Sequence, residues 1–346
     1  MNGLLLFGGV IFILWLGRAI FVPVVVAAFL WYLINAISAY YRKALPYRDK
    51  TKGKKILPII FDWGAGILSL ATFSGLIYMF ITQIRPMFAQ LIARLPDIQQ
   101  KLALLGDYLT GYFGLSFPLD SAPNITEIAA NIGSSVTGFA TTMGMVLVYI
   151  IFMFIEQSTF NRKFAALFPN KTQSKKMHYI FASIDENMKK YMFMKTFISV
   201  ITGLLSYFWL HAIGLEFAGV WAFIVFVTSY VPTIGAIVAC LLPVLYSLVT
   251  ADSMNLPILT AVGLIGLQIV FGNILEPKLT GKTLNLSTLA ILINLVFWGM
   301  LWGVAGMFFS VPLLVATFVI TAQFDSTRWI AILLSANGEI PDKNDE

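Results

Sequence analysis

Charged side chains fall in clumps along this chain, and long stretches between the clumps carry none. Uncharged runs cover residues 1–17, 19–41, 63–84, 128–155, 196–215, 217–251, 253–275 and 283–324. About 20 consecutive apolar residues cross the hydrocarbon core of a bilayer as a helix. The runs are apolar continuously, not at alternate positions, which excludes the two-residue period of membrane-barrel strands. The pattern predicts an all-α, polytopic membrane protein with about eight transmembrane helices.

Two runs are too long for one straight span. Residues 283–324 hold two spans, or one span plus a broken helix. Residues 217–251 contain TSYVPTIGA, Thr228 to Ala236. There Pro232 lacks a backbone donor and Gly235 permits unusual dihedrals, so a helix break is expected. Breaks at membrane depth need their freed polar groups satisfied by protein or a watery cavity, and secondary transporters use them repeatedly. A plain proline kink is the competing reading. Broken or re-entrant helices are accordingly expected in the C-terminal half.

Two other segments show helical periodicity without being spans. Phe88, Leu91, Ile92, Leu95, Leu102, Leu105 and Leu109 recur at three- and four-residue intervals, which marks an amphipathic helix. It suits a membrane surface or a neighbouring subunit, and equally a cover for its own bundle. Met177, Ile180, Phe181, Ile184, Met188, Tyr191 and Met192 share a second such face, with lysines near its ends. A basic amphipathic helix lies naturally in the headgroup region. The expected organisation is N-terminal membrane helices (1–84), an outer amphipathic segment (85–135) and a membrane helix (136–156). A basic cytoplasmic segment (157–195), a transport core (196–324) and a tail (325–346) complete it.

Composition agrees with that class. Only 12% of the 346 residues are charged and 58% are hydrophobic, against about 25% charged in soluble domains. Mean hydropathy is +0.83. The net charge of +6 raises the question of nucleic acid, but its placement answers it differently. Residues 41–57 carry seven Lys/Arg against one acid, and residues 156–195 carry eight against three. Residues 85–127 carry three basic and four acidic side chains. Positive loops stay in the cytoplasm and attract anionic headgroups. Both termini are therefore expected inside a bacterial cytoplasmic membrane, residues 85–127 outside, and no nucleic-acid partner. The first run has no basic leader and no clear cleavage site, so it reads as a retained span. The single cysteine, Cys240, rules out a disulfide framework.

Enzyme chemistry finds little foothold. His178 and His211 are not in a zinc-binding spacing, and neither a nucleophile elbow nor a phosphate-binding loop appears. Lys195 and Ser199 stand four apart, as a Ser–Lys dyad would, but snorkelling at a membrane boundary explains the lysine better. Neither a cofactor nor a metal is expected, and transport, if any, runs downhill or on a gradient.

One polar island remains. VFGNILEPKLTGKTLNLS, Val270 to Ser287, lies between two of the longest uncharged runs. A charge at membrane depth costs several kcal/mol and persists with a partner or a function. Asn273 lies one helical turn before Glu276, and Lys278 follows as a counter-charge. Pro277 disfavours helical geometry at Glu276, and Gly272 and Gly281 bracket a chain reversal. The segment reads as a polar hairpin for a cation or polar solute, or as an ordinary loop with Asn273 as a cap. Spacing alone leaves both open.

The stretch FGNILEPKLTGKTLNLSTLAILINLVFWGMLWGVAGMFFSVPLL resembles the C-terminal signature of the autoinducer-2 exporter family of bacterial permeases, and YVPTIGAIVACLLPVL resembles its upstream Pro-x-x-Gly element. Ser287 departs from the proline of many members. The resemblance implies a permease for small solutes, with some members linked to autoinducer-2 export and others to sodium(lithium)/proton antiport. Its motif positions here are Pro232, Gly235, Gly272, Asn273, Glu276, Pro277, Gly281, Gly303, Gly306 and Pro312. The glycines and prolines have a structural alternative in close packing and kinks. Asn273 and Glu276, with Lys278 and with Asn294 in the next apolar run, are the candidate solute- or ion-binding residues. A secondary-active or facilitative exporter of a small polar solute is the first expectation, a cation/proton antiporter the second, and a scaffold of a cell-envelope assembly the third. The amphipathic segments make a homo-oligomer plausible.

Overall fold

The computed structural model describes residues 2–44, scattered positions from 64 to 82, 85–113, 142–157, most of 159–170, then 171–276, 278 and 285–340. The span expected at 58–84, the Gly114–Pro123 break, Pro277 and Gly281 lie wholly or largely outside them. The described residues form helices α1 (Asn2–Leu16), α2 (Arg18–Ala44), α3 (Leu95–Phe113), α4 (Thr142–Gln157) and α5 (Lys171–Ala212). There follow α6 (Ala218–Thr228), α7 (Ile234–Thr250), α8 (Asn255–Gln268), α9 (Thr288–Trp302), α10 (Val304–Ala322) and α11 (Arg328–Leu334). Four are long and apolar enough to cross a membrane, and α4, α6, α7 and α9 are shorter apolar helices. The protein is an all-α polytopic membrane protein.

Two compact units divide the chain, and neither is continuous in sequence. The first comprises Met1–Phe73, Thr142–Lys195 and Lys278–Glu346, the second Ser74–Thr141 and Thr196–Pro277. In the first unit α2 packs on α4 through Ala27, Ile34, Val146 and Ile150. The run 283–324 folds as a helical hairpin, α9 and α10, joined at Gly303 with φ +65. Gly306 lets the two helices approach closely, because a Cβ there would lie 1.9 Å from the Trp298 carbonyl oxygen. The hairpin meets α2 through Phe29, whose ring stands edge-on to Phe308 and Phe309 at 5.2 and 5.6 Å. It meets α1 through Trp302, whose indole N–H donates to the Leu14 carbonyl at 3.1 Å.

Residues 325–340 pack against the end of α10. Phe318 and Ala322 of α10 bury Ala331 of α11. Beyond α11 the Asn285 side chain donates to Asn337 Oδ1 at 2.8 Å and to the Glu339 carbonyl at 2.9 Å. The Ser287 N–H donates to the Leu334 carbonyl at 2.8 Å.

The second unit is built on the break predicted at Pro232. α6 stops at Thr228 and α7 starts at Ile234, and the chain reverses between them. Phe217 and Trp221 at the start of α6 lie 6.1 and 5.1 Å from Tyr246 near the end of α7. The two helices are therefore antiparallel limbs of a hairpin. Eleven residues make α6 about 16 Å long, roughly half the hydrocarbon thickness. The turn satisfies its own backbone: Val231 N–H donates to Thr228 O at 2.9 Å, and Gly235 N–H to Val231 O at 3.1 Å. Ile234 N–H closes on Pro232 O at 2.6 Å with Thr233 at φ 60, ψ −62, the strained form of the γ-turn. A Cβ at Gly235 would meet the Thr228 carbonyl oxygen at 1.8 Å, so glycine is the residue this turn admits. Tyr230 is buried in the turn and donates its hydroxyl to Thr196 Oγ1 at 3.0 Å.

Two expectations need correction. The basic segment and the following span are one helix, α5, of 42 residues. Neither glycine nor proline occurs between Lys171 and Thr202, so nothing in the chain ends the helix where the basic segment meets the apolar run. Part of its expected membrane-facing stripe points into the protein, with Ile180, Tyr191 and Met192 at 3%, 7% and 5% exposure, while Phe181 is 47% exposed. Lys195 does not snorkel: it is 4% exposed. The neighbouring Ser199 hydroxyl is buried with no hydrogen-bond partner among the described residues, so the Ser–Lys dyad is not formed.

Gly306→Ala should lower the thermal unfolding midpoint in detergent by the equivalent of about 2 kcal/mol, the typical cost of overpacking. Gly266→Ala, where a Cβ meets nothing within 4 Å, should leave the midpoint unchanged or raise it slightly.

Candidate functional site

The signature carboxylate sits at the end of a helix that changes pitch. α8 is regular from Asn255 to Gln268, and residues Ile269–Leu275 continue it as a π-helical turn. The Glu276 N–H donates to the Phe271 carbonyl, five residues back. Such wide turns inside α-helices recur at functional sites because they re-aim the side chains that follow. Gly272 lies within this turn; the reversal expected between Gly272 and Gly281 falls largely outside the described residues. The helix carries on to Glu276.

Asn273 is exposed on this turn and Glu276 is half-buried. Lys278 is exposed. Asn273 and Glu276 thus stand about one turn apart on a single segment of the second unit, ending a 23-residue run without a charge.

Asn294 has a different occupation. It lies on α9 of the first unit, where its amide nitrogen donates to the Ser310 carbonyl of α10 at 2.5 Å. Its oxygen accepts the Trp298 indole N–H at 3.1 Å. Both ends of the amide are used to pin the hairpin, as polar side chains do between helices in lipid. Gly303 and Gly306 form the same hairpin, and Pro312 is buried within α10. These signature positions build the frame.

The second unit also holds a polar cluster that the sequence reading did not assemble. α5 ends in a Schellman cap: Leu215 N–H donates to Leu210 O at 2.9 Å and Gly214 N–H to His211 O at 3.1 Å, with Gly214 at φ +78. The cap delivers Glu216 beside a turn at Arg94, which separates helical residues 85–93 from α3. Arg94 Nη1 donates to Glu216 Oε2 at 2.6 Å, and the Tyr246 hydroxyl donates to the same oxygen at 3.1 Å. The guanidinium lies 5.9 Å from the Phe217 ring centroid. A cavity of about 450 Å³ opens on one side, lined by Arg94, Asp97, Lys101, Glu216, Thr250 and Asp252 among others. Arg94, Asp97 and Lys101 are visible in sequence as the polar face of an amphipathic helix. Glu216 lies 122 residues away, which periodicity cannot bridge. The apolar face of the same helix is used inside this unit, with Leu91 and Ile98 packed on the core around Trp221 and Tyr246.

The model of the AI-2E family transporters matches residues 4–326. The chain belongs to that family. Among its relatives, the AI-2 transport protein TqsA of Escherichia coli (strain K12) is 33% identical over 208 residues, 60% of this chain and 59% of that protein. A putative transport protein of Haemophilus influenzae is 31% identical over 209 residues, 60% of this chain and 58% of that one. A sodium-lithium/proton antiporter of Halobacillus andaensis is 29% identical over 211 residues, 60% of this chain and 56% of that protein. The chain thus aligns with less than two thirds of the length of each of these relatives.

Asn294→Ala should destabilise the α9–α10 hairpin of this AI-2E family protein by about 1–2 kcal/mol, since it strands a buried donor and acceptor. The check is thermal unfolding followed by tryptophan fluorescence, where Trp298 loses its hydrogen-bond partner.

Proposed function

We propose that this protein is a secondary-active or facilitative permease that exports a small polar solute across the bacterial cytoplasmic membrane, with both termini on the cytoplasmic side and no enzymatic step. Asn273 and Glu276 bind the solute or its coupling ion. The observation that carries this reading is the π-helical turn, which ends a long uncharged helix on an exposed amide and a half-buried carboxylate. A membrane helix keeps an ionisable group where it serves a pathway. The transport names of the relatives agree with it, and TqsA's name points to a quorum-sensing signal as one such solute.

Sodium(lithium)/proton antiport is the second reading. It is favoured by the antiporter name of the Halobacillus relative and needs nothing beyond the same carboxylate.

Inverted membrane vesicles with a fluorescent pH indicator separate the readings. Antiport gives a dequenching response to Na⁺ or Li⁺ pulses that Glu276→Gln abolishes. Solute export gives no response to the cations. In either case Glu276→Gln and Asn273→Ala should leave expression and the unfolding midpoint near wild type while transport falls at least tenfold, the scale of a lost charge-assisted contact. Undiminished transport by Glu276→Gln refutes the site assignment.

A further inference from the structure

Three features of the second unit fall at one depth: the π-helical turn, the Pro232 turn and Ser199 of α5. Within this unit α5 and α6 run antiparallel, since Tyr230 bonds to Thr196 and a Cβ at Gly203 would lie 2.9 Å from the Phe226 Cβ. α7 and α8 form the next hairpin, joined by residues 251–254. α8 thus returns along α5, where the Trp209 indole N–H donates to the Leu259 carbonyl at 3.1 Å and the ring leaves no room for a Cβ at Gly263. Ten residues back from Trp209 stands Ser199, and ten residues on from Leu259 and Gly263 lies the π-helical turn. Each step is about 15 Å along a helix. The same count along α7 and α8 brings the Pro232 turn to that level.

Two polar side chains in this layer have no hydrogen-bond partner among the described residues. One is the Ser199 hydroxyl, which is fully buried. Thr202, Thr228 and Ser229 close by each bond to a carbonyl of their own helix, the usual remedy for a hydroxyl in a helix, and Ser199 does not. Ser199 shares its stripe of α5 with Leu210, which belongs to the apolar core, so it faces into the unit. The other is the Gln268 amide, half-buried at the end of α8 inside a run of 23 uncharged residues. Its Oε1 lies 3.6 Å from where a Cβ of Gly272 would stand, so the glycine leaves the amide uncovered. Leaving such groups unpaired costs stability. A binding site accepts that cost because the ligand supplies the missing bonds.

We propose that Ser199 and Gln268 are solute-binding residues that carry the Asn273–Glu276 site about two helical turns deeper into the second unit. The proposal rests on the permease reading of that site and specifies the chemistry it takes. A hydroxyl and a primary amide each donate and accept, so they pair with an uncharged hydroxyl group of a solute. A bare monovalent cation would use their oxygens and leave the amide N–H groups unpaired. Ser199 and Gln268 therefore select a hydroxylated solute over a cation.

The test is the unfolding midpoint of the full chain in detergent, followed by tryptophan fluorescence, with millimolar glycerol, erythritol or ribitol, and separately with Na⁺ or Li⁺. At least one polyol should raise the wild-type midpoint by mass action. Ser199→Ala and Gln268→Leu should each raise the half-saturating polyol concentration about fivefold, the scale of one neutral hydrogen bond. Without polyol their midpoints should hold or rise, because each removes an unpartnered polar group; a merely structural residue would lower the midpoint and leave binding alone. Ser206→Ala removes an equally buried, unpartnered hydroxyl two turns nearer the core of Leu210 and Leu264, and should bind as wild type. Glu276→Gln scores the parent reading separately. Binding lost in Glu276→Gln but kept in Ser199→Ala and Gln268→Leu overturns the inner pair and leaves that reading standing. Binding kept in Glu276→Gln but weakened in the inner pair supports Ser199 and Gln268 against the Glu276 assignment. A response to cations without one to polyols, or to no probe at all, overturns the proposal.

Discussion

In hydrocarbon every backbone N–H and C=O must find its partner within the chain, and this constraint shapes the protein wherever its helices stop. The reversal between α6 and α7 bonds Val231, Ile234 and Gly235 within a few residues. The hydroxyls of Thr228 and Ser229 fold back onto the carbonyls of Ile224 and Val225 at 2.7 and 2.6 Å. The Asn294 amide joins α9 to the Ser310 carbonyl of α10 and accepts the Trp298 indole N–H within α9. The π-helical turn before Glu276 is a third solution, widening the helix while keeping the N–H of Glu276 bonded to a carbonyl. The irregular backbone and the signature residues coincide because polar chemistry in an apolar chain concentrates where regular helix gives way.

How much of this was legible in sequence follows from the range of each interaction. Uncharged runs report on about 20 neighbouring residues at once, so the helical class and the division of 283–324 were readable. Pro232 and Gly235 act on their own backbone, so the break was readable too. The fate of the apolar stripe on α5 was not. A face of Ile180, Tyr191 and Met192 has the same period whether it meets lipid or protein, and here it meets protein. Gly272 could not announce the π-helical turn either, because glycine permits an irregular backbone without specifying one.

The candidate site was legible in part. Asn273 and Glu276 are neighbours in sequence and remain so in space. Asn294 shared their chemistry but is spent on its own hairpin. The Arg94–Glu216–Tyr246 cluster joins three elements far apart in the chain, and no local pattern announces it. The segment on either side of the Arg94 turn contributes Leu91 and Ile98 to the core, and Arg94, Asp97 and Lys101 to a cavity.

The central proposal is that Asn273 and Glu276 of the second unit bind the transported solute or its coupling ion. The most direct test of the central claim is flux in proteoliposomes over a panel of small polyols and monovalent cations, with and without a proton gradient, for wild type and Glu276→Gln. The account predicts that at least one small polar solute crosses with wild-type protein and that Glu276→Gln loses this flux. A panel solute carried equally by both proteins would contradict it.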